Sequence, residues 1–246
     1  IATVLILPKE PSSAEQPNQL FDRSQVLDQL RPPAHAPEFS RVFAARTCMM
    51  AGVGLTGVFL WYLVRFWVYG KAVVLTSAPL TIPAGFLIAG MAVATLIGAA
   101  LASWAAGPIS ERIEEKNIPV ARAVAGACLL YAAGLALAWG LGVWSTGTAR
   151  ENGMLLFALI SGFAFGVYDS LGLELVMDSL PDPRRAGHDL GIYALANSAG
   201  LALAAIIGAL LVNAFEHSFG YYLLFPSAIV MVLLAGIVTL TTKSAE

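Results

Sequence analysis

Six apolar stretches follow one another after residue 41, and the loops between them alternate sharply in positive charge. Residues 47–64, 72–110, 123–149, 152–168, 190–215 and 218–242 contain no Asp, Glu, Lys or Arg. A hydrocarbon core about 30 Å thick requires roughly 20 apolar residues per crossing helix. Each run meets that length once a polar turn at its end is allowed. Backbone groups in lipid must be satisfied within their own segment, so the crossings are helices. The runs do not alternate in polarity and are too long for barrel strands. The fold class expected is therefore all-α: a polytopic membrane protein, a six-transmembrane-helix bundle with spans near 42–66, 80–106, 123–145, 154–177, 190–214 and 219–242.

Composition supports this and narrows the functional classes. Of 246 residues, 58% are hydrophobic and 12% charged, half the charged fraction of about 25% usual in soluble domains. Mean hydropathy is +0.74. No basic stripe or RNA-binding signature is present, so nucleic acid is not an expected partner. Cys48 and Cys128 both fall inside apolar runs, where a free thiol packs as a small hydrophobe. Neither a disulfide framework nor a metal site follows from them. His35, His188 and His217 lie in the linker and in loops on opposite sides, and cannot converge on one metal or triad. With no H-E-x-x-H, G-x-S-x-G or Cys–His arrangement, no enzyme and no cofactor are expected.

The chain divides into four segments. Residues 1–7 are apolar and stop at Pro8, reading as the last two turns of a truncated transmembrane helix. Residues 8–41 hold six prolines within 8–40 and many charges, as a polar linker does. Residues 42–242 hold the six spans, and 243–246 form a tail. Ten Lys and Arg fall on the side of the linker, the 107–122 loop, the 178–189 loop and the tail; only Arg65, Lys71 and Arg150 fall on the other. The positive-inside bias places linker and tail in the cytoplasm.

An ionisable residue inside a span costs about 2.5–3.5 kcal/mol on insertion scales and so faces a cavity or a partner. Asp169 stands out. It lies nine residues, roughly 13 Å, from the cytoplasmic end near Asp178. It follows Gly162 and Gly166 at helical spacing, which aims it into the bundle. It reads either as a proton-carrying or substrate-contacting carboxylate, its pKa raised by burial, or as a structural acid satisfied by a Tyr, Ser or Arg. Tyr168 and Asn197 are further candidates. So is Arg46, one turn into the first span, and so is Glu174 near the interface. Ala196, Gly200, Ala204 and Gly208 repeat every four residues, a spacing that lets helices approach closely in lipid. The third and sixth spans are bland enough to face lipid.

Two cytoplasmic segments carry recognisable text. Gly107-Pro108-Ile109-Ser110-Glu111-Arg112 resembles the G-x-L-[AS]-[DE]-R loop of the major facilitator superfamily, though Ile113-Glu114-Glu115-Lys116 replaces the usual x-G-R-[RK]. Leu180-Pro181 through Gly187-His188-Asp189-Leu190-Gly191 looks like the segment before the eleventh helix of many bacterial members. Some relatives carry an aspartate nine residues before that proline; here the position is Gly172, and the nearest acid is Asp169. The resemblance implies the end of helix six, the central loop and helices seven to twelve: half of a major-facilitator fold, with seven and ten lining the cavity and nine and twelve outside.

It further implies a secondary active transporter, symporter or antiporter, moving a small molecule by alternating access, with proton coupling resting on Asp169. The location implied is a bacterial inner membrane. The partners implied are the lipid bilayer, a small-molecule substrate and an N-terminal six-helix half, missing from this chain or on another. Gly107, Glu111 and Arg112 would form a conformational-lock loop. The alternative left open is a non-transporting subunit or assembly factor of a larger membrane complex.

Overall fold

A computed structural model describes residues 37–69, 81–144, 147–180, 186–215 and 217–242. The expected helix end at 1–7, the linker up to residue 36, the Pro181–Arg185 turn and the tail lie outside the described residues. The elements are α1 (Pro37–Gly57), α2 (Leu60–Tyr62) continuing into a π-helical segment (Leu63–Val68), α3 (Thr81–Glu115), α4 (Val120–Trp144), α5 (Thr148–Asp178), α6 (Ala186–Ala214) and α7 (His217–Leu240). No strand occurs among the described residues. Five helices are long and apolar enough to cross a bilayer, and α1 with its continuation makes a sixth.

The first span, expected near 42–66, is not one continuous helix. The chain bends by 42° between α1 and the segment Leu60–Val68. Gly57 ends α1, and Phe59 leaves the helical region at φ −97°, ψ 10°. Glycine and a π-bulge are both recognised causes of sharp kinks. The wide turn then closes on itself, Tyr69 N–H donating to the Val64 carbonyl at 3.3 Å. Arg150, at the start of α5, donates to the Trp67 carbonyl at 3.0 Å.

The six spans form two interleaved triplets. α1 packs on α6 and α7; α5 packs on α3 and α4; α4 and α7 pack on each other. Exchanging the first three spans for the last three maps these contacts onto themselves. α1 and α5, as first and fourth crossings, run in opposite directions, so this is the inverted-repeat arrangement of secondary transporters. Backbone proximity makes the contacts. Gly162 of α5 lies against the Thr95 carbonyl of α3, and Gly98 of α3 against the Leu159 carbonyl. Their counterparts are Gly200 of α6, where a Cβ would come within 2.7 Å of the Thr47 carbonyl, and Gly54 of α1 against Ala204. The small-residue stripe of α6 thus faces α1, and Gly162 and Gly166 face α3.

Coverage of the spans differs from what their polarity suggests. Half of the apolar window of α4 is buried and 39% of that of α7, against 22% for α3 and for α6. The bland helices are therefore packed against neighbours. Apolar side chains gain nothing from lipid that they do not also gain from each other, so blandness does not locate the lipid face. α3 and α6 are the least covered.

The α3–α5 contact tolerates no side chain at Gly162. Gly162→Val should lower stability by about 1–3 kcal/mol, the usual cost of overpacking. Gly172→Ala, where a Cβ meets nothing within 4 Å, should be neutral or slightly stabilising. Thermal unfolding in detergent checks both.

Candidate functional site

Three helices bring their polar residues to one depth. Arg46 lies nine residues after α1 begins at Pro37, and Asp169 nine before α5 ends at Asp178. Asn197 lies eleven residues after α6 begins at Ala186. At 1.5 Å per residue these are about 13, 13 and 16 Å from the same end of the bundle. In a hydrocarbon core about 30 Å thick, that is close to the middle.

The three meet. Arg46 Nη1 contacts Asp169 Oδ1 at 2.7 Å, and Arg46 Nε donates to Asn197 Oδ1 at 2.8 Å. The planar guanidinium lies over three rings, with its carbon 5.6 Å from the centroids of Phe165 and Tyr168 and 5.7 Å from that of Tyr193. Arginine suits this place because its fork is always charged, donates along two edges at once and stacks on aromatic faces. Each desolvated cation–π contact contributes up to about 2 kcal/mol. Arg46 is only 8% exposed, so the charge needs all of these partners. Phe165 and Tyr193 stand four residues before Asp169 and Asn197, on the same faces of their helices. The aromatic cradle and the polar contacts are thus delivered together.

Asp169 departs from expectation. Its side chain is 56% exposed; it is neither buried nor aimed into the packed interior. One oxygen is held by Arg46, and the group opens on a groove of about 390 Å³ between α1, α3 and α5. The reason is geometric. Gly162 and Gly166 point at α3, and the next turn of α5 extends past that contact toward α1, leaving Asp169 at the rim; Tyr131 of α4 closes the groove's far side. Phe165 and the hydroxyls of Thr95, Ser103, Ser161 and Ser170 share the groove wall. Each hydroxyl donates to a carbonyl of its own helix: Met91 at 2.9 Å, Ala99 at 3.1 Å, Ala158 at 3.0 Å and Gly166 at 2.9 Å, respectively. Back-bonding of this kind satisfies the proton and leaves oxygen lone pairs for the groove.

The remaining candidates do not join this cluster. Glu174 is exposed on α5, five residues beyond Asp169. Gly107, Glu111 and Arg112 are exposed and helical, in the last turns of α3, so the expected lock loop is a helix end. α3 accommodates Pro108 and runs to Glu115. It stops in a Schellman motif: Asn117 takes φ 52°, Ile118 N–H donates to Ile113 O at 2.9 Å, and Asn117 N–H to Glu114 O at 3.1 Å. Asn at the left-handed position with Pro119 soon after is the stop signal that sets this boundary. Among the described residues, no group of three His, Cys, Asp or Glu could hold a metal.

Comparison with known proteins agrees with the inverted-repeat geometry. The family model of the Major Facilitator Superfamily matches residues 89–246. The chain belongs to the major facilitator superfamily. No curated protein and no solved structure matched. Membership makes this a membrane transporter protein in the general sense. The match includes Asp169 and Asn197 but begins after Arg46, so the pairing of the superfamily segment with the α1 arginine is learned from the structure alone.

Arg46→Lys keeps a charge but cannot serve Asp169 and Asn197 from one planar group. It should cost about 1–3 kcal/mol in stability, because the buried charge at position 46 then loses one of its two polar partners. Glu174→Gln, exposed and outside the cluster, should fall within about 0.5 kcal/mol of wild type. Unfolding titrations of the purified protein in detergent measure both.

Proposed function

We propose that this six-span unit is one wall of a secondary active carrier that moves a small molecule by alternating access, with Arg46, Asp169, Tyr168 and Asn197 at its centre. The supporting observation is the mid-depth ion pair whose carboxylate opens on the hydroxyl-lined groove. A groove of about 390 Å³ lies within the roughly 300–1,000 Å³ usual for small-ligand sites.

The second wall in this reading is another six-helix unit. α3 and α6, the least covered spans, flank the α1–α5 pair, and α3 exposes Leu96, Leu101 and Trp104. Covering this face encloses the groove and gives the substrate a site reachable from either side in turn. The alternative of a non-transporting subunit has no observation in its favour. The proposed location is a bacterial inner membrane, with the helix ends nearest Arg46 and Asp169 in the cytoplasm, as the Lys and Arg distribution supports. Proton coupling, where it operates, runs through Asp169.

Ser170→Cys, with Cys48→Ala and Cys128→Ala to remove the native thiols, tests alternating access without a known substrate. A membrane-impermeant maleimide should label the introduced thiol from both faces of the membrane, and trapping one face closed should slow labelling from that face alone. Labelling from a single face, or from neither, contradicts the carrier reading. If Asp169 also couples to protons, pH should shift the balance between the two labelling rates. Asp169→Asn should abolish that shift, and an unchanged pH dependence removes Asp169 from coupling.

A further inference from the structure

The groove is chemically one-sided. The cation it brings to mid-depth, Arg46, is 8% exposed; its Nε is committed to Asn197 and its Nη1 to Asp169, and three rings cover it. An incoming anion would have to displace a carboxylate and an amide to reach it. The anion of the pair is the opposite case: the Asp169 side chain is 56% exposed and forms part of the groove lining. The four groove hydroxyls have given their protons to Met91, Ala99, Ala158 and Gly166. They turn oxygen lone pairs to the groove; Tyr131 of α4 also lines it, 4% exposed and with its hydroxyl hydrogen-bonded to Thr56. What faces a ligand is therefore chiefly a set of acceptors around one carboxylate, set into a wall of Val53, Ala99, Tyr131, Gly162 and Phe165.

We infer that this groove takes a protonated amine carried on an apolar body and rejects organic anions. The inference rests on the carrier reading of the same groove and adds the chemical class of its substrate. An alkylammonium head has three donors and no acceptor, which matches a wall of acceptors without leaving a lone pair unmet. A polyol would bring acceptors that find no donor, and a buried group left unpaired is penalised. A carboxylate or phosphate would face Asp169 with like charge while the guanidinium stays sealed.

Three isosteric probes separate these cases: 4-phenylbutylamine, 4-phenylbutanol and 4-phenylbutyrate, titrated against the complete carrier in lipid nanodiscs with empty nanodiscs as the partition control. The amine should bind at least about tenfold tighter than the alcohol, the scale of a hydrogen bond to a charged group. The butyrate should bind more weakly still. Asp169→Asn should bring the amine to the affinity of the alcohol and leave the alcohol unchanged. Should Asp169→Asn lose the folded carrier, the double variant Ser103→Ala/Ser170→Ala leaves the ion pair intact. It should weaken the amine severalfold relative to the alcohol. Butyrate binding as tightly as the amine overturns the inference, and so does amine affinity indifferent to both variants or no binding of the amine at all. Binding does not require turnover. A protein that binds the amine through Asp169 but whose Ser170→Cys variant labels from one face only keeps the specificity and loses the carrier reading. One that labels from both faces and prefers butyrate keeps the carrier and loses the specificity.

Discussion

A guanidinium placed at mid-depth in a bilayer-spanning bundle cannot be left alone. Arg46 meets that constraint with one carboxylate, one amide oxygen and three aromatic faces, supplied by α5 and α6. The polar architecture follows from this. α1 belongs to the first triplet of spans, α5 and α6 to the second, so the cluster ties the two repeats together near mid-depth. The close glycine contacts of α1 with α6 and of α5 with α3 bring backbones near enough for the side chains to meet, and without them the arginine would lack a partner within reach. A buried ion pair is weak evidence for stability as such. Its value here is in specifying which faces of α1, α5 and α6 turn toward one another.

The cluster is asymmetric in a way that matters for function. Its positive member is enclosed and its negative member is half open, so the pair is close to neutral as a whole while presenting acceptor character to the groove. The outer part of the first span adds a second asymmetry. Its 42° bend and π-helical turn lie beyond the cluster, toward the opposite end of the bundle from the start of α1, and are held by Arg150 and by aromatic contacts of Trp67 with Tyr222 and Phe225. π-bulges inside helices concentrate at functional positions. Here the irregularity sits in a helix that lines the groove and holds the arginine.

Much of this is legible in the residues. Charge-free runs and the Lys and Arg distribution give six crossings and single out Arg46, Asp169 and Asn197, but they leave Arg46 only one turn into its span; the start of α1 at Pro37 sets it level with the other two. What the residues do not reveal has identifiable physical causes. Helical spacing places Asp169 on the Gly162–Gly166 face, but a few degrees of rotation at the rim of the α3–α5 contact separate a buried carboxylate from an open one. The aromatic cradle is within reach: Phe165 and Tyr193 precede Asp169 and Asn197 by one turn, a pairing that a search for charges alone passes over. The groove hydroxyls Thr95 and Ser103 sit in the most apolar-looking stretch of α3, where single hydroxyls read as tolerated exceptions. The blandness of α4 and α7 suggests a lipid face, although in lipid it is equally the signature of close packing. Gly107–Arg112 reads as a loop by its motif, whereas the left-handed Asn117 marks where α3 actually stops.

The claim on which the account turns is that Arg46 and Asp169 are energetically coupled across α1 and α5. A double-mutant cycle over wild type, Arg46→Ala, Asp169→Ala and the double variant isolates that coupling from the separate cost of each truncation. Measured by unfolding in detergent, the cycle should return a favourable interaction of about 1–3 kcal/mol, with the double variant less damaged than the sum of the singles. Additivity within about 0.3–0.5 kcal/mol, the range seen for independent sites, would contradict it.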